Sequence, residues 1–307
     1  MERPLFIVNP ASGGGKTCRR RWPEVEGLLR RWGVDHDCEM TRHPGHAMDL
    51  AEEAAREGRR LVVSVGGDGT LNEVGNGLLR GSTGGEPPLL GIVPGGRGSD
   101  FHRALGLPQD TEGALRVALE GEPRPVDAGL MDFMLDGKRS ERYFFNICGT
   151  GFDAEVTARA NRMPGFLGGT LPYLLSTLIS LFSVKPKRVR MTVDGDEVDL
   201  GEIAGVIVAN GMYYGGGMMI SPHSRLDDGI FHLIVMGRRA PHKLALHPIW
   251  IYRGTHLRLP DLREMTGREV SLESEGVLLL QPDGEVFGEA PCRFSCRPGA
   301  LRVLAGR

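Results

Sequence analysis

Residues 61–79 read Leu-Val-Val-Ser-Val, then Gly-Gly-Asp-Gly-Thr, then Leu-Asn-Glu-Val-Gly-Asn-Gly-Leu-Leu, and the joins between these three pieces decide the fold. Leu61 to Val65 is a short apolar run rich in β-branched residues, the pattern of a strand covered on both faces. It ends on Gly66, Gly67 and Gly69, which remove side chains so that backbone N–H groups can approach an anion. The helix predicted to follow turns its positive dipole end to the same place, which makes the loop a phosphate cradle. Asp68 adds a carboxylate, the ligand type that Mg²⁺ prefers.

Outward from this unit the first third of the chain repeats its texture. Leu5 to Val8 and Leu89 to Val93 are further apolar runs and Val34 to Met40 a further strand candidate, separated by helical patterns from about Lys16 and over Ala47 to Arg56. Short apolar strands alternating with helices predict an α/β domain of Rossmann-like type, a parallel sheet with helices on both faces. Ligands of such sheets sit beyond the carboxyl ends of the strands. Three Gly-rich segments follow strands there: Asn9 to Lys16 (NPASGGGK), Gly66 to Thr70, and Pro94 to Phe101 (PGGRGSDF). The first is not a P-loop, because the required glycine spacing is missing. Its Asn9 and Ser12 could hydrogen-bond a nucleotide or simply form a helix-entry loop.

Beyond Pro125 the pattern changes to alternating segments, Met131 to Leu135, Arg142 to Ile147, Val189 to Val193, Ala204 to Ala209, Ile230 to Met236 and Val277 to Leu280, bounded by turns such as Asp136-Gly137 and Asp194-Gly195. That is antiparallel sheet. The expected organisation is a nucleotide-binding α/β domain over 1–130 and a β-rich domain over 131–307, with the last run, Leu301 to Leu304, free to return to the first.

Bulk properties narrow the function. The 307 residues suffice for two ordinary domains. With 37 basic and 39 acidic residues the net charge is −2, so no global field draws in nucleic acid or an anionic membrane. The 45 glycines are about twice the usual share. Five scattered cysteines without a C-x-x-C pair suit a reduced cytoplasmic setting. The apolar start is too short for a signal-peptide core, and export by that route is not expected. Leu171 to Val184 is too short for the roughly 20 residues of a membrane span. Leu171, Leu174, Leu175, Leu178, Leu181 and Phe182 fall at helical spacing, with Ser176, Thr177, Ser180 and Ser183 between them. A helix packed on its own domain is the first expectation; interfacial contact with lipid, helped by Lys185, Lys187, Arg188 and Arg190, is the second. Arg238 to Lys243 is another basic candidate for such contact.

In order along nearly the whole chain stand NPASGGGK, Thr41 to Ala47 (TRHPGHA), GGDGTLNEV, PGGRGSDF, Val126 to Gly129 (VDAG), FNICGTGFDAEV, ANGMYYGGGM, SRLDDG and PDGE. Together they resemble the diacylglycerol kinase catalytic-domain family, the lipid kinases that include sphingosine and ceramide kinases, and in particular its soluble bacterial members. GGDGT alone is shared with NAD kinases and echoed in phosphofructokinases; the later motifs favour the lipid kinases.

The resemblance implies ATP- and Mg²⁺-dependent phosphorylation of a lipid hydroxyl, diacylglycerol or a related lipid, in a cleft between the domains. It implies nucleotide contacts from Asn9, Thr41, Gly67, Asp68, Gly69, Thr70 and Glu73, with Gly66, Ser12, Gly96 and Arg97 beside them. Asp127 matches a carboxylate of the Mg²⁺–ATP water network. A structural metal is implied at SRLDDGI, through Asp228 and the backbone carbonyls of Arg225 and Ile230. PDGE matches the catalytic segment: a hydroxyl acceptor needs a carboxylate to take its proton, and Asp283 is expected in that role with Glu285 as the alternate. The chain departs from the family's G-T-x-N-D in reading Gly96-Arg97-Gly98-Ser99-Asp100, which puts one nucleotide contact in doubt, and in His223-Ser224 before the metal turn. The expected partners are ATP and a lipid at a membrane surface that the protein visits reversibly, with a homodimer as a further expectation and no nucleic acid. Two rival functions are a kinase of a soluble metabolite such as NAD and a non-catalytic nucleotide or lipid sensor.

Overall fold

A computed structural model describes residues 3–82, 84–95, 99–163 and 171–306, with the backbone alone for 171–174. The chain divides into two compact units, Met1–Ala128 with Pro298–Arg307, and Gly129–Arg297.

The first unit is an α/β layer. Strands β1 (Leu5–Val8), β2 (Asp37–Met40), β3 (Leu61–Gly66) and β4 (Leu89–Pro94) pair in parallel in the order β4-β3-β1-β2. The inner strands are almost wholly buried, whereas β2, at the sheet edge, exposes Cys38, Glu39 and Met40. Between β1 and β2 the chain forms α1 (Ser12–Lys16), a π-helical turn (Thr17–Arg21) and α2 (Trp22–Trp32). Then come α3 (His46–Arg56), α4 (Asp68–Gly81), α5 (Asp100–Ala104) and α6 (Thr111–Glu120). Trp22, Val25, Leu28 and Leu29 of α2 and Leu115 of α6 pack on Phe6, Val8, Val63, Val65 and Val93 of the sheet. Strand residues alternate between faces, and α3 and α4 meet β1 and β3 from the other side.

The second unit is β-rich. It contains most of β5 (Glu122–Leu135), then β6 (Lys138–Phe144), β7 (Ile147–Thr150), β8 (Lys187–Val193), β9 (Asp196–Ala209), β10 (Tyr213–Tyr214), β11 (Met218–Met219), β12 (Phe231–Gly237), β13 (Leu262–Gly267), β14 (Glu269–Ser274), β15 (Leu280–Pro282) and much of β16 (Glu289–Ala305). Its main ladder runs β13-β12-β9-β8-β14-β16, and β7 joins β9 to β15. The pairs β12–β13, β9–β12, β8–β9 and β8–β14 are antiparallel. Alternate residues of β12 enter different clusters: Phe231, Leu233 and Val235 pack with Phe144, Leu272 and Phe294, while Ile234 and Met236 pack with Ala240 and Leu244. The helices are α7 (Phe152–Asn161), α8 (Leu171–Ser183), α9 (Ala240–Leu246) and α10 (Pro248–Tyr252).

Three expectations change. The strand expected over Arg142 to Ile147 is broken at Phe145-Asn146, between β6 and β7. β15 begins at Leu280, where the expected strand was to end. In α8, Ser176 and Ser180 are fully buried, while Leu175, Leu178, Ile179 and Phe182 are exposed, Phe182 at 87 %. The apolar stripe is where periodicity puts it, but among the described side chains it faces outward.

The contact of α3 with α4 is a close one between small residues. A Cβ on Gly77 would overlap the Met48 carbonyl oxygen and the Ala51 methyl, and one on Gly81 would overlap the Glu52 carbonyl. Helices with glycine at the contact approach more closely than larger side chains permit. Gly77→Val should therefore force α3 and α4 apart and cost about 1–3 kcal/mol, the usual range for an overpacked core. A lowered urea midpoint at unchanged slope is the expected result; an unchanged midpoint would show that this contact is slack.

Candidate functional site

The parallel register sets the candidate site of the first unit. Val8 pairs with Met40 and with Val65, and Gly66 pairs with Pro94. The residues that follow, Asn9, Thr41, Gly67 and Gly95, therefore line up along the carboxyl ends of four neighbouring strands. The Gly-rich segments there are bonded to one another. Asn9 Nδ2 donates to Thr70 Oγ1 at 2.9 Å, joining the first loop to the second. Thr17 Oγ1 donates to the Gly95 carbonyl at 3.0 Å, joining the first to the third. The Gly95 N–H donates to the Gly66 carbonyl at 2.6 Å, and Asp68 accepts from the N–H groups of Asp100 (3.1 Å) and Phe101 (3.4 Å).

The glycines fit tasks that a side chain would block. A Cβ on Gly66 would stand 2.5 Å from Thr70 Oγ1. Gly13, Gly14 and Gly15 all have left-handed backbone, with φ of 62°, 69° and 80°, a conformation costly for other residues. Gly67 is the N-cap of α4, with Asp68, Gly69 and Thr70 in its first turn, so this 14-residue helix starts where β3 ends. The Asp68 carboxyl is raised above the ordinary carboxylate range, first by desolvation, against the pull of the Asp100 and Phe101 N–H groups and of Arg103.

Other expected residues have different occupations. Glu73 accepts the N–H groups of Gly45 (2.9 Å) and Ala47 (3.2 Å), clamping the start of α3; its carboxylate is engaged in holding the TRHPGHA segment. Asp127 is buried and accepts the Gly299 N–H at 2.7 Å. Ser12 opens α1, and its N–H donates to the Asn9 carbonyl at 3.2 Å. Gly96 and Arg97 lie outside the described residues. In SRLDDGI, Asp228 accepts the Ile230 N–H at 3.2 Å, an Asx turn, and Arg225 donates to Asp227 at 3.1 Å. Among the described residues no three His, Cys, Asp or Glu side chains are grouped to hold a metal ion.

The second unit has its own candidate in the turn Pro282–Glu285, closed by the Glu285 N–H to the Pro282 carbonyl at 3.0 Å. Asp283, with left-handed φ of 47°, accepts three backbone N–H groups: Phe145 at 2.8 Å, Asn146 at 2.9 Å and Ile147 at 3.0 Å. Its oxygens bridge the break between β6 and β7. Glu285 is half exposed and stands 3.5 Å from Arg142, whose guanidinium also lies over the Phe287 ring. Arg142, Thr17 and Gly95 escape sequence reading, because nothing local in them announces their partners. Asp100 lies within a quoted motif, and its place before the third-loop helix was the available signal.

A third group joins residues of three motifs. Asp153 of FNICGTGFDAEV, Tyr214 of ANGMYYGGGM and Gln281 just before PDGE meet around Gly149 and Thr157. Gln281 Nε2 lies 2.7 Å from Thr157 Oγ1 and 2.8 Å from the Tyr214 hydroxyl. Burial pushes the Asp153 carboxyl up to about 6, against a hydrogen bond from Tyr214.

Comparison with known proteins agrees with this anatomy. Residues 3–131 match the diacylglycerol kinase catalytic domain, and residues 146–305 match the YegS C-terminal NAD kinase beta sandwich-like domain. The chain is 30% identical over 293 residues to the diacylglycerol kinase of Staphylococcus carnosus (strain TM300), covering 95% of this chain and 92% of that protein. A crystal structure of a candidate diacylglycerol kinase from Bacillus anthracis str. Sterne is similar with a TM-score of 0.79 at 26% identity, covering 99% of this chain and 95% of that one. An NAD kinase from Archaeoglobus fulgidus in complex with ATP shares the fold, with a TM-score of 0.55 at 17% identity over 99% of this chain and 93% of its own. On the family match, the near-complete coverage and the shared architecture, the chain belongs to the diacylglycerol kinase family of lipid kinases, which use ATP.

Proposed function

We propose that the protein transfers the γ-phosphoryl group of ATP to a hydroxyl of a lipid, diacylglycerol or a related lipid, with Glu285 as the general base. The contrast within the PDGE turn carries this reading. The oxygens of Asp283 are committed to three backbone donors. Glu285 is reachable, and Arg142 orients it. In the step, the acceptor O–H bond breaks and its proton passes to Glu285. The freed oxygen forms a bond to the γ-phosphorus, and the bond from that phosphorus to the β,γ-bridging oxygen breaks as ADP leaves. Backbone N–H groups at the glycine loops and at the start of α4 hold the phosphates of the donor.

Mg²⁺ fits Asp68. It stands in the first turn of α4, where the glycine loop leaves β3, and its oxygens are the ligand type that Mg²⁺ prefers. Bound there, Mg²⁺ would neutralise charge on the ATP phosphates. Asp68 and Gly67 are then the residues on which ATP binding depends most.

A lipid acceptor is met at a membrane, and α8 supplies a surface for it. No helix among the described residues is long and apolar enough to cross a bilayer. Instead, Leu175, Leu178, Ile179 and Phe182 face outward over buried serines, the Phe182 ring meets His242 of α9, and Leu246, Ile249 and Tyr252 are exposed beyond it. Lys185, Arg188, Arg239 and Arg253 are exposed along the same segments. Apolar side chains flanked by cations suit the interface of an anionic bilayer, and reversible peripheral association is the corresponding mode of life.

Three expectations follow. Glu285→Gln should lower kcat by roughly 10²–10⁴-fold with ATP affinity little changed, the usual range for a lost general base; turnover near that of the parent would remove Glu285 from the role. Asp283→Asn places an amide among three N–H donors and should appear chiefly as lost stability, about 2–3 kcal/mol for hydrogen bonds to a charged group, read from chemical unfolding. A larger loss of kcat than in Glu285→Gln, at parental stability, would return the base to Asp283. Phe182→Asp combined with Leu246→Asp should abolish flotation with vesicles containing anionic lipid while phosphorylation of a soluble short-chain acceptor persists. Flotation of this variant equal to that of the parent protein would rule out the α8 surface.

A further inference from the structure

Between β2 and α3 the chain makes a turn whose two histidines hold a fixed arrangement. The Arg42 N–H donates to His46 Nδ1 at 3.1 Å, and His43 Nδ1 lies 3.0 Å from the Pro44 carbonyl. The two imidazoles stack, with ring centroids 4.9 Å apart and planes at 30°. His43 is exposed and His46 half-buried. The backbone that carries them is fixed in turn: the Thr41 N–H donates to the Val8 carbonyl at 2.9 Å, and Glu73 accepts the N–H groups of Gly45 and Ala47, on either side of His46. The two bonds at Nδ1 assign the ring protons. A carbonyl only accepts, so His43 Nδ1 carries its hydrogen and, in the neutral ring, His43 Nε2 keeps a lone pair. His46 Nδ1 accepts from a backbone N–H, so its proton sits on Nε2. The stacked pair thus presents one acceptor and one donor, and among the described residues neither Nε2 has a hydrogen-bond partner.

The turn stands where the base of a nucleotide would reach. Thr41 follows β2, two strands along the sheet from Gly67, the N-cap of α4. Neighbouring strands lie about 4.8 Å apart, so the separation is about 10 Å, the scale of a ribose and a purine placed end to end. Phosphates held at the start of α4 therefore leave the base within reach of the histidine turn. Adenine presents a donor at N6 beside an acceptor at N7, whereas guanine presents two acceptors, O6 and N7. We propose that His43 and His46 recognise the adenine of ATP, with His43 Nε2 accepting from the 6-amino group and the His46 Nε2–H donating to N7. Guanine would set O6 against the His43 lone pair. The proposal rests on the phosphoryl-transfer reading above for the position of the phosphates, and goes beyond it by naming what selects the base.

The test is calorimetric binding of ATP, 7-deaza-ATP, GTP and inorganic tripolyphosphate to the full chain in the presence of Mg²⁺; in 7-deaza-ATP a C–H replaces N7. His43→Phe and His46→Phe keep a ring in the stack, His43→Asn and His46→Asn keep the bond to the backbone, and all four remove Nε2. A neutral hydrogen bond corresponds to about three- to tenfold in affinity. The parent should bind ATP more tightly than 7-deaza-ATP by that factor, and both His46 variants should bind the two equally. Both His43 variants should weaken ATP by the same factor and narrow its preference over GTP, because removing the lone pair relieves GTP where it costs ATP. Tripolyphosphate should bind every variant as it binds the parent, which also shows that the phosphate loops stay folded. Equal affinity of the parent for ATP and 7-deaza-ATP overturns the proposal, as does equal weakening of all four ligands, the mark of a turn that only holds the fold. ATP binding with this dependence on His43 and His46, but no phosphorylation of any lipid, upholds the base site and sinks the lipid kinase reading. Lipid phosphorylation without the base discrimination does the reverse.

Discussion

The N–H groups of Phe145, Asn146 and Ile147 point at one carboxylate, that of Asp283, and much of the second unit is arranged around that convergence. The strand that would have run through these residues is interrupted, so their donors have no ladder partner. Each unsatisfied donor would cost about 1–3 kcal/mol if left buried. Asp283 satisfies all three, and does so from a left-handed backbone that forces a tight turn. That turn leaves Gln281 on one side, paired to β7, and Glu285 on the other, within reach of Arg142 from β6. Both flanks of the turn are therefore held in place by the Asp283 carboxylate.

The first unit is held together differently. Its loops are bonded to one another through Asn9–Thr70, Thr17–Gly95, Gly66–Gly95 and Asp68–Asp100. Loops fixed in this way have their N–H groups aimed before the ligand arrives, which is how a preorganised polar site avoids reorganisation during reaction. Glu73 extends the same economy by tying the start of α3 to α4.

What could be read from the sequence was whatever local chemistry determines. The strand, glycine loop and helix around Asp68 were legible because each piece has its own signature within a few residues. The engagement of Asp283 was not, since its backbone donors lie 136 to 138 positions away. The partners of Glu73 were hidden for the same reason: Gly45 and Ala47 lie a full helix upstream. In α8 the periodicity of the leucines was plain, but a period does not say whether a stripe faces inward. Only the burial of Ser176 and Ser180 settles that. The change to antiparallel texture after Pro125 was visible, whereas β13, Leu-Arg-Glu-Met-Thr-Gly, lacks the clean alternation that would have announced it.

The return of the last strand to the first sheet has a bearing on the order of assembly. Val303 pairs in parallel with Leu90, so β4 is flanked on one side by a segment made more than two hundred positions later. Chains emerge from the ribosome at some 5–20 residues per second, and domains tend to fold as they appear. Here the unit begun first is finished last: the outer edge of β4 stays without its partner through synthesis of the entire second unit. An unpaired strand edge is a template for association with other chains. The nascent protein therefore passes its most vulnerable interval with the first unit nearly complete, and that sheet closes only after the second unit has been made.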